Sequence, residues 1–257
     1  MPKPRPIELI AIAHIPEIRP GDNLPRILLS AAKKSKLVFQ QNDILVLAQK
    51  IISKSENRMI DLTTITPSQR AIDLAAASDN DRSRKDPRLV ELILRESRRI
   101  VREHPVLIVE THHGFVCANA GIDQSNIPGE TVVSLLPENP DVSAKKIAQA
   151  LKKLTRKKIA VIIADTFGRP WRLGLTNVAI GIHGISPMQD LRGTRDAHGK
   201  PLHATIIATA DELAAAAGLA MPKSASTPAI LIRNFAYKSS TEPATKIIRP
   251  APEDLFR

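Results

Sequence analysis

Apolar residues in this sequence form short continuous runs, separated by polar segments. Such runs predict buried strands. The predicted strands cover residues 7–12, 44–48, 159–164, 175–182, 205–210 and 229–233. A β-hairpin is predicted over residues 106–118 with its turn near His113-Gly114, and the polar stretch 53–58 predicts a loop.

Helical spacing and capping residues predict the helices. Thr66-Pro67 and Asp86-Pro87 each place a capping residue before a proline, which is typical of a helix start. The first predicted helix begins after Asn23, and the second begins at Thr66-Pro67. The third covers residues 89–101, the fourth runs from caps at Asp141 and Ser143 to about residue 154, and the fifth covers residues 211–220. Helices and strands are mixed without regular βαβ alternation, so the sequence predicts a mixed α/β chain.

The composition is that of a globular protein with an aliphatic core. Of the 257 residues, 43% are hydrophobic and 25% are charged, but only 3% are aromatic. The single cysteine, Cys117, excludes an internal disulfide, favours a reducing compartment and is expected to be a small core residue. No signal-type apolar segment follows the basic N-terminus, and the longest apolar runs are far shorter than a bilayer span. We therefore expect a cytoplasmic protein without a membrane partner.

The net charge of +11 has two interpretations. Basic proteins often bind anions such as nucleic acid or phosphorylated metabolites. Lysine and arginine pairs in helix-like stretches, such as Lys33-Lys34 and Arg98-Arg99, are more typical of solvated helix faces. Charge alone leaves both interpretations open.

Four polar clusters follow predicted strands, where α/β proteins often place ligands. They are residues 119–126, residues 165–172, Gln49-Lys50 with Ser53-Lys54, and residues 190–196. Asp165 and Thr166 are hard oxygen donors suited to Mg²⁺ or Mn²⁺, and arginine and lysine suit phosphate. Each cluster taken alone also fits a turn or an exposed loop.

Other site types are excluded by the pattern. His112 and His113 are adjacent and would face opposite sides of a strand, which makes a poor zinc pair. The sequence contains no Gly-x-Ser-x-Gly elbow and no phosphate-loop lysine motif. Two acidic oxygen sites, several cations and no nucleophile triad favour metal-assisted nucleotide chemistry.

Three motifs together resemble one family, the coenzyme F-420-0:L-glutamate ligases of deazaflavin coenzyme biosynthesis. The motifs are Asn119-Ala120-Gly121-Ile122-Asp123-Gln124-Ser125-Asn126, Asp165-Thr166-Phe167-Gly168-Arg169-Pro170-Trp171-Arg172 and Ala210-Asp211-Glu212-Leu213-Ala214. The resemblance covers residues 7–234. It implies an α+β fold of two interwoven α+β domains with largely antiparallel or mixed sheets, in a homodimer. We expect a ligase unit over residues 1–236, with two discontinuous subdomains, and a tail over residues 237–257.

The resemblance also implies an activity: ligation of L-glutamate to F-420-0 with GTP, Mg²⁺ or Mn²⁺ and possibly K⁺, through an acyl phosphate. Asp123, Asp165 and Arg169 are implied to be catalytic, with Asp123, Asp165 and Thr166 as metal ligands. The implied nucleotide-binding residues are Ile15, Pro16, Glu17, Ile18, Gln49, Lys50, Lys54, Asn126, Met221, Pro222, Lys223 and Ser224.

One position departs from the family pattern. Some relatives carry an acidic metal ligand where this chain has Lys223, and a protonated lysine cannot ligate a metal, although it suits a phosphate. Two alternatives remain: a family relative with a different acid or amino acid, and a basic nucleic-acid-binding protein. The second alternative lacks a stacking platform, since Trp171 and Tyr237 are the only Trp and Tyr, so no nucleic-acid partner is expected.

Overall fold

A five-stranded mixed sheet forms the centre of the fold in the computed structural model, which describes residues 5–77, 85–222 and 226–254. The strands in chain order are β1 (Glu8–Ala11), β2 (Ile44–Ala48), β3 (Met59–Asp61), β4 (Ser97–Arg102), β5 (Ile108–Thr111), β6 (Val116–Ala118), β7 (Val132–Ser134), β8 (Ala160–Arg169), β9 (Arg172–His183), β10 (Gln189–Asp190), β11 (Ile206–Ile207) and β12 (Ala229–Arg233). The central sheet has the order β1-β12-β2-β8-β9, and β2 and β8 form its parallel pair. The other pairs in this sheet are antiparallel.

The central sheet is buried on both faces because its inner strands are almost wholly aliphatic. The helices are α1 (Leu24–Lys34), α2 (Gln49–Ser55), α3 (Gln69–Ala76), α4 (Pro87–Arg95), α5 (Pro140–Thr155) and α6 (Thr209–Leu219). Apolar residues of α1 and α5 pack on one face of the sheet, and those of α6 pack on the other. Side chains that alternate along β2 and β8 therefore enter two different cores. The predicted mixed α/β fold class is confirmed.

A separate hydrophobic cluster is formed by residues that come between β2 and β8 in the sequence. It combines α3 and α4 with small sheets of order β3-β7 and β4-β5-β6. The expected division into two discontinuous subdomains stays a prediction. Part of the expected tail packs on the rest of the chain, since Ala244 is buried and its N–H donates to Asp141 at 3.0 Å.

Continuous apolar runs and the hairpin were predicted well, and helix ends less well. The strands at 44–48 and 229–233 and the hairpin at 106–118 are confirmed. The helix predicted over 89–101 is wrong beyond α4, because Ser97 begins strand β4 and pairs with Thr111. The loop predicted over 53–58 is also wrong in its first half, where α2 continues to Ser55.

Local hydrogen bonds explain three further corrections. Ser68, not Thr66, caps α3, and Asn139 caps α5. Asp141 instead accepts hydrogen bonds from two backbone N–H groups, one of them that of Ile182 at 2.8 Å. The strand predicted over 205–210 is reduced to β11, because α6 already begins at Thr209.

Within the described ranges, no helix has the length and apolar character needed to cross a bilayer.

Gly181 in β9 tests the packing of α5 on the central sheet. A Cβ at this position would lie 2.4 Å from the carbonyl carbon of Pro140, so Gly181→Ala forces backbone apart. We expect it to lower the free energy of unfolding by about 1–3 kcal/mol. Gly168→Ala is the matched control, because no atom lies within 4 Å of the added methyl group there. Urea denaturation of both variants measures the difference, and equal stability would contradict this packing.

Cys117 tests the burial of β6. The thiol is buried, and burial, with a smaller contribution from the charge of Asp165, raises its pKa to about 12. The reactive thiolate is therefore almost absent at pH 8. We expect a chromogenic disulfide reagent to react with the native chain far more slowly than with the unfolded chain. Rapid, complete reaction of the native chain with unchanged circular dichroism would refute the assignment.

Candidate active site at the carboxyl ends of the parallel strands

A cavity of about 740 Å³ opens at the carboxyl ends of β2 and β8. Its volume is typical of a small-molecule site. The cavity is lined by six segments from distant parts of the chain. These are the loop at 15–18, the start of α2, the loop at 123–126, the paired arms of β8 and β9 near Asp165, the end of α6, and residues 221, 222 and 226–228.

The parallel ladder between β2 and β8 determines where this cavity begins. Ala48 and Ala164 are the last pair of that ladder. Beyond Ala48 the chain turns into α2, whereas β8 continues as a hairpin arm with β9 to Arg169. The sequence prediction that this strand ends at Ala164, with Asp165 just after it, is therefore wrong. Asp165 is the first residue of β8 that has lost β2 as its neighbour, which opens space beside it.

Asp165 and Thr166 lie on opposite faces of the β8 arm, because side chains alternate along a strand. Asp165 belongs to the face that packs towards α1 and α5, and its charge acts on the nearby thiol of Cys117. The Thr166 hydroxyl donates to Asn177 Oδ1 across the hairpin at 2.9 Å. Both residues line the cavity. A cation bound directly to both side chains would have to bridge the edge of the strand.

Asp123 reaches the cavity from the separate hydrophobic cluster of α3, α4 and the small sheets, to which its neighbour Ile122 belongs. Asp123 and Ser134 exchange two backbone hydrogen bonds, of 3.2 and 2.9 Å, which fix the start of the loop at 123–126. The preceding turn needs left-handed backbone, with Gly121 at φ 71°. A Cβ on Gly121 would lie 2.9 Å from Leu136, so glycine is required there for space as well as for conformation.

A lysine from α2 pairs with Asp123. Lys50 Nζ lies 2.7 Å from Asp123 Oδ2, and it also donates to the carbonyl and hydroxyl oxygens of Ser125. Burial alone would raise the pKa of Asp123. The hydrogen bonds from Lys50 and Ser125, together with the Lys50 charge, outweigh burial and lower the pKa below its ordinary value. Asp123 is therefore an anion at neutral pH, which is the form that binds a cation.

A second lysine lies one turn further along α2. Lys54 is largely buried, with 8% of its side chain exposed, and donates to Glu17 and to the Asn126 carbonyl oxygen. It thus joins the loop at 15–18 to the loop at 123–126. The neighbouring Gln49 is buried and accepts a hydrogen bond from Ser53 at 2.8 Å. Gln49 therefore stabilises α2 but still borders the cavity.

Most of the sequence-predicted site residues come together here. The predicted residues that line the cavity are Ile15, Pro16, Glu17, Ile18, Gln49, Lys50, Lys54, Asp123, Asn126, Asp165, Thr166, Met221 and Pro222. Lys223 and Ser224 lie outside the described residues. Their predicted contacts, and the replacement of an acidic ligand by Lys223, stay predictions.

Arg169 does not line the cavity. It lies four residue steps beyond Asp165 along the strand, about 13 Å at the usual rise. It is exposed near the hairpin tip, where it donates to the Leu173 carbonyl oxygen at 3.2 Å. A catalytic contact by Arg169 would need a substrate that extends along the hairpin.

Two other predicted features lie apart from the cavity lining. Asp211, in the third family motif, accepts a hydrogen bond from the Ala179 N–H at 2.9 Å, and burial raises its pKa despite that bond. This contact attaches α6 to β9 and is structural. In the cluster at 190–196, Asp190 pairs with Arg192 on the surface, and the hydrogen bond from Arg192 lowers the pKa of Asp190 to about 2.

Sequence reasoning missed several polar residues of the cavity lining, and Asn177 and Ser125 are two whose contacts show a role. Asn177 lies opposite Thr166 in the β8–β9 register, and Ser125 binds both Lys50 and Asp123. Ser125 was visible inside the first motif but received no role. Asn177 carried no motif signal, because its position depends on the register of a long hairpin.

The donor set is compatible with a divalent cation that also binds phosphate. Within the described ranges, no group of three or more His, Cys, Asp or Glu side chains could hold a metal ion. Mg²⁺, however, is usually held by one or two carboxylates, with substrate phosphates and water completing the shell. The carboxylates of Asp123 and Asp165 on one cavity match that pattern.

Comparison with known proteins adds independent information. The family model F420-0:Gamma-glutamyl ligase matches residues 13–234. The coenzyme F420:L-glutamate ligase of Methanothermobacter thermautotrophicus is 42% identical, over 98% of this chain and 99% of its own length. The proteins of the same description from Methanosarcina mazei and Methanocaldococcus jannaschii are 41% and 39% identical, over 97% and 98% of this chain and 95% and 98% of their own lengths. Because the match spans nearly the whole chain, this protein belongs to the F420-0:gamma-glutamyl ligase family.

Proposed function

We propose that this protein joins L-glutamate to the deazaflavin precursor F-420-0 by an amide bond, with GTP and a divalent metal as co-reactants. Family membership supports the acid and the amino acid. One structural observation supports the nucleotide and the metal: Asp123 and Asp165, from different cores, line one cavity with Lys50 and Lys54. The expected homodimer, cytoplasmic location and K⁺ requirement stay predictions.

The first chemical step activates the acid. A carboxylate does not condense with an amine until one of its oxygens becomes a leaving group. We propose that a carboxylate oxygen of F-420-0 attacks the γ-phosphorus of GTP. A new P–O bond forms, the bond from that phosphorus to the β–γ bridging oxygen breaks, and GDP leaves with the electron pair. The product is an acyl phosphate.

The second step forms the amide. The neutral amine of L-glutamate attacks the acyl carbon, a C–N bond forms, and the C–O bond to phosphate breaks with its electron pair on the departing oxygen. The amine loses one proton, which the departing phosphate takes up. Inorganic phosphate and the amide are the products.

Lysines and carboxylates have complementary roles in this scheme. A divalent cation, when bound, offsets negative charge on the phosphate oxygens. Asp123 and Asp165 would hold it. Lys50 would then exchange Asp123 for a phosphate oxygen, and Lys54 is placed to contact phosphate beside Glu17. Both phosphate-bearing substrates are anions, so the net charge of +11 would favour their encounter with the protein.

The direct test of the activity is a reconstituted reaction. The protein is incubated with F-420-0, L-glutamate, GTP and Mn²⁺, and the product is identified by mass. We expect products heavier by whole glutamate residues, together with GDP and phosphate. GTP turnover with another acid or amino acid only would support the alternative family relative. Salt-sensitive DNA retention without any GTP turnover would support the nucleic-acid-binding alternative.

Asp165→Asn tests the proposed role of that carboxylate. The amide has nearly the same shape but no charge, so we expect activity to fall at least about 1,000-fold with the thermal unfolding midpoint nearly unchanged. Asp73→Asn is the matched control, because Asp73 is exposed on α3 and contacts Gln69. Near-normal activity of the Asp165 variant would show that the metal assignment is wrong.

A further inference from the structure

A second cavity lies at the opposite end of the central sheet. It measures about 640 Å³ and is bordered by the start of β8, the end of β9, the C-terminal half of α5 and the segment after β12. Because β2 spans four residue steps, about 13 Å separate this end of the sheet from the candidate active site. The two cavities share no lining residue.

Two polar side chains in this cavity have no hydrogen-bond partner among the described residues. His183 at the end of β9 and Tyr237 after β12 are both half-buried and line it. Within the described part of the chain, neither the imidazole nitrogens nor the phenolic oxygen makes a hydrogen bond. Half-buried polar groups usually bind water or a ligand, and these two face the same space.

The charge around these groups is positive. Lys152 and Lys158 border the cavity and are exposed, without an acidic partner in the described residues. Lys145 is close enough to act on His183. The acid that also acts on His183 is Asp141, whose side-chain oxygen already accepts two backbone hydrogen bonds. The acid that acts on Tyr237 is Asp43, which is paired with Arg233 at 3.0 Å. An anion would therefore find more positive than negative charge here.

The protonation states suit a ligand that accepts hydrogen bonds. Burial, together with the charge of Lys145, lowers the pKa of His183, against the opposing effect of Asp141. The imidazole is therefore mostly neutral at pH 7 and would gain a proton on meeting an anion. Burial, with the charge of Asp43, raises the pKa of Tyr237, so its hydroxyl remains a donor.

Aromatic side chains supply the remaining wall. Phe235 and Tyr237 line the cavity, with buried Ile159 beside them. We propose that this cavity is a second ligand site, which binds a small molecule that carries a phosphate group and an aromatic ring. The phosphate meets Lys152, Lys158 and His183, and the ring lies against the aromatic wall. This site is independent of the proposed ligase activity.

The test uses phenyl phosphate as the probe and histidine labelled with ¹³C in the ring. We expect a saturable shift of the His183 resonance and a higher His183 pKa in the complex, since a bound anion stabilises imidazolium. Phenol and inorganic phosphate alone should bind at least tenfold more weakly. His183→Asn identifies the resonance.

Charge-reversed variants provide the matched comparison. Lys152→Glu and Lys158→Glu should each weaken phenyl phosphate binding at least tenfold. Lys153→Glu and Lys157→Glu change the net charge equally, but these neighbours do not line the cavity, so binding should stay within twofold.

Three results would overturn the proposal. One is the absence of a saturable His183 shift with phenyl phosphate. Another is equal weakening by all four variants, which would indicate surface charge only. The last is a His183 shift that depends on protein concentration without probe, which would assign this face to contact between two copies of the chain.

Discussion

The parallel pairing of β2 with β8 is the constraint on which the candidate active site depends. It brings the carboxyl ends of two strands, far apart in the sequence, to one edge of the sheet. The ladder ends at Ala48 and Ala164. The lysines of α2, which follow Ala48, and Asp165, which follows Ala164, therefore lie at the same edge of the sheet. Asp123 is then added from another core, through its backbone bridge to Ser134. Without this register, the cations and carboxylates would not share a cavity.

The charges of the site are paired before any ligand arrives. Lys50 contacts Asp123, and Lys54 contacts Glu17. Partly buried charges are costly without partners, so these contacts reduce the cost of holding them in position. These ion pairs can also be exchanged. An incoming phosphate can take the place of the carboxylate that contacts each lysine, and a cation can take the place of the Lys50 ammonium that contacts Asp123. The nucleotide phosphate would bind Lys50, and the metal would bind the Asp123 carboxylate that Lys50 releases. Binding of the nucleotide and binding of the metal would therefore favour each other.

Sequence alone predicted the parts of the fold that depend on local pattern. The strands at 44–48 and 229–233 were clear because every position is apolar and buried, apart from the last. The helix predicted to residue 101 failed because apolar residues near its end serve strand β4, whose pairing with β5 is a tertiary contact. Motif residues identified most of the cavity lining. Asn177 was missed, and Arg169 was included, because only the hairpin register shows which residues reach the cavity.

The central claim is that Asp123 and Asp165 converge on one cation beside a nucleotide. Crystals grown with GDP and Mn²⁺, measured for anomalous scattering at the manganese edge, test it most directly. The account predicts a manganese peak within about 2.1 Å of a carboxylate oxygen of each aspartate, with the diphosphate next to it. A peak that only one aspartate or neither contacts, or a nucleotide outside this cavity, would contradict the account.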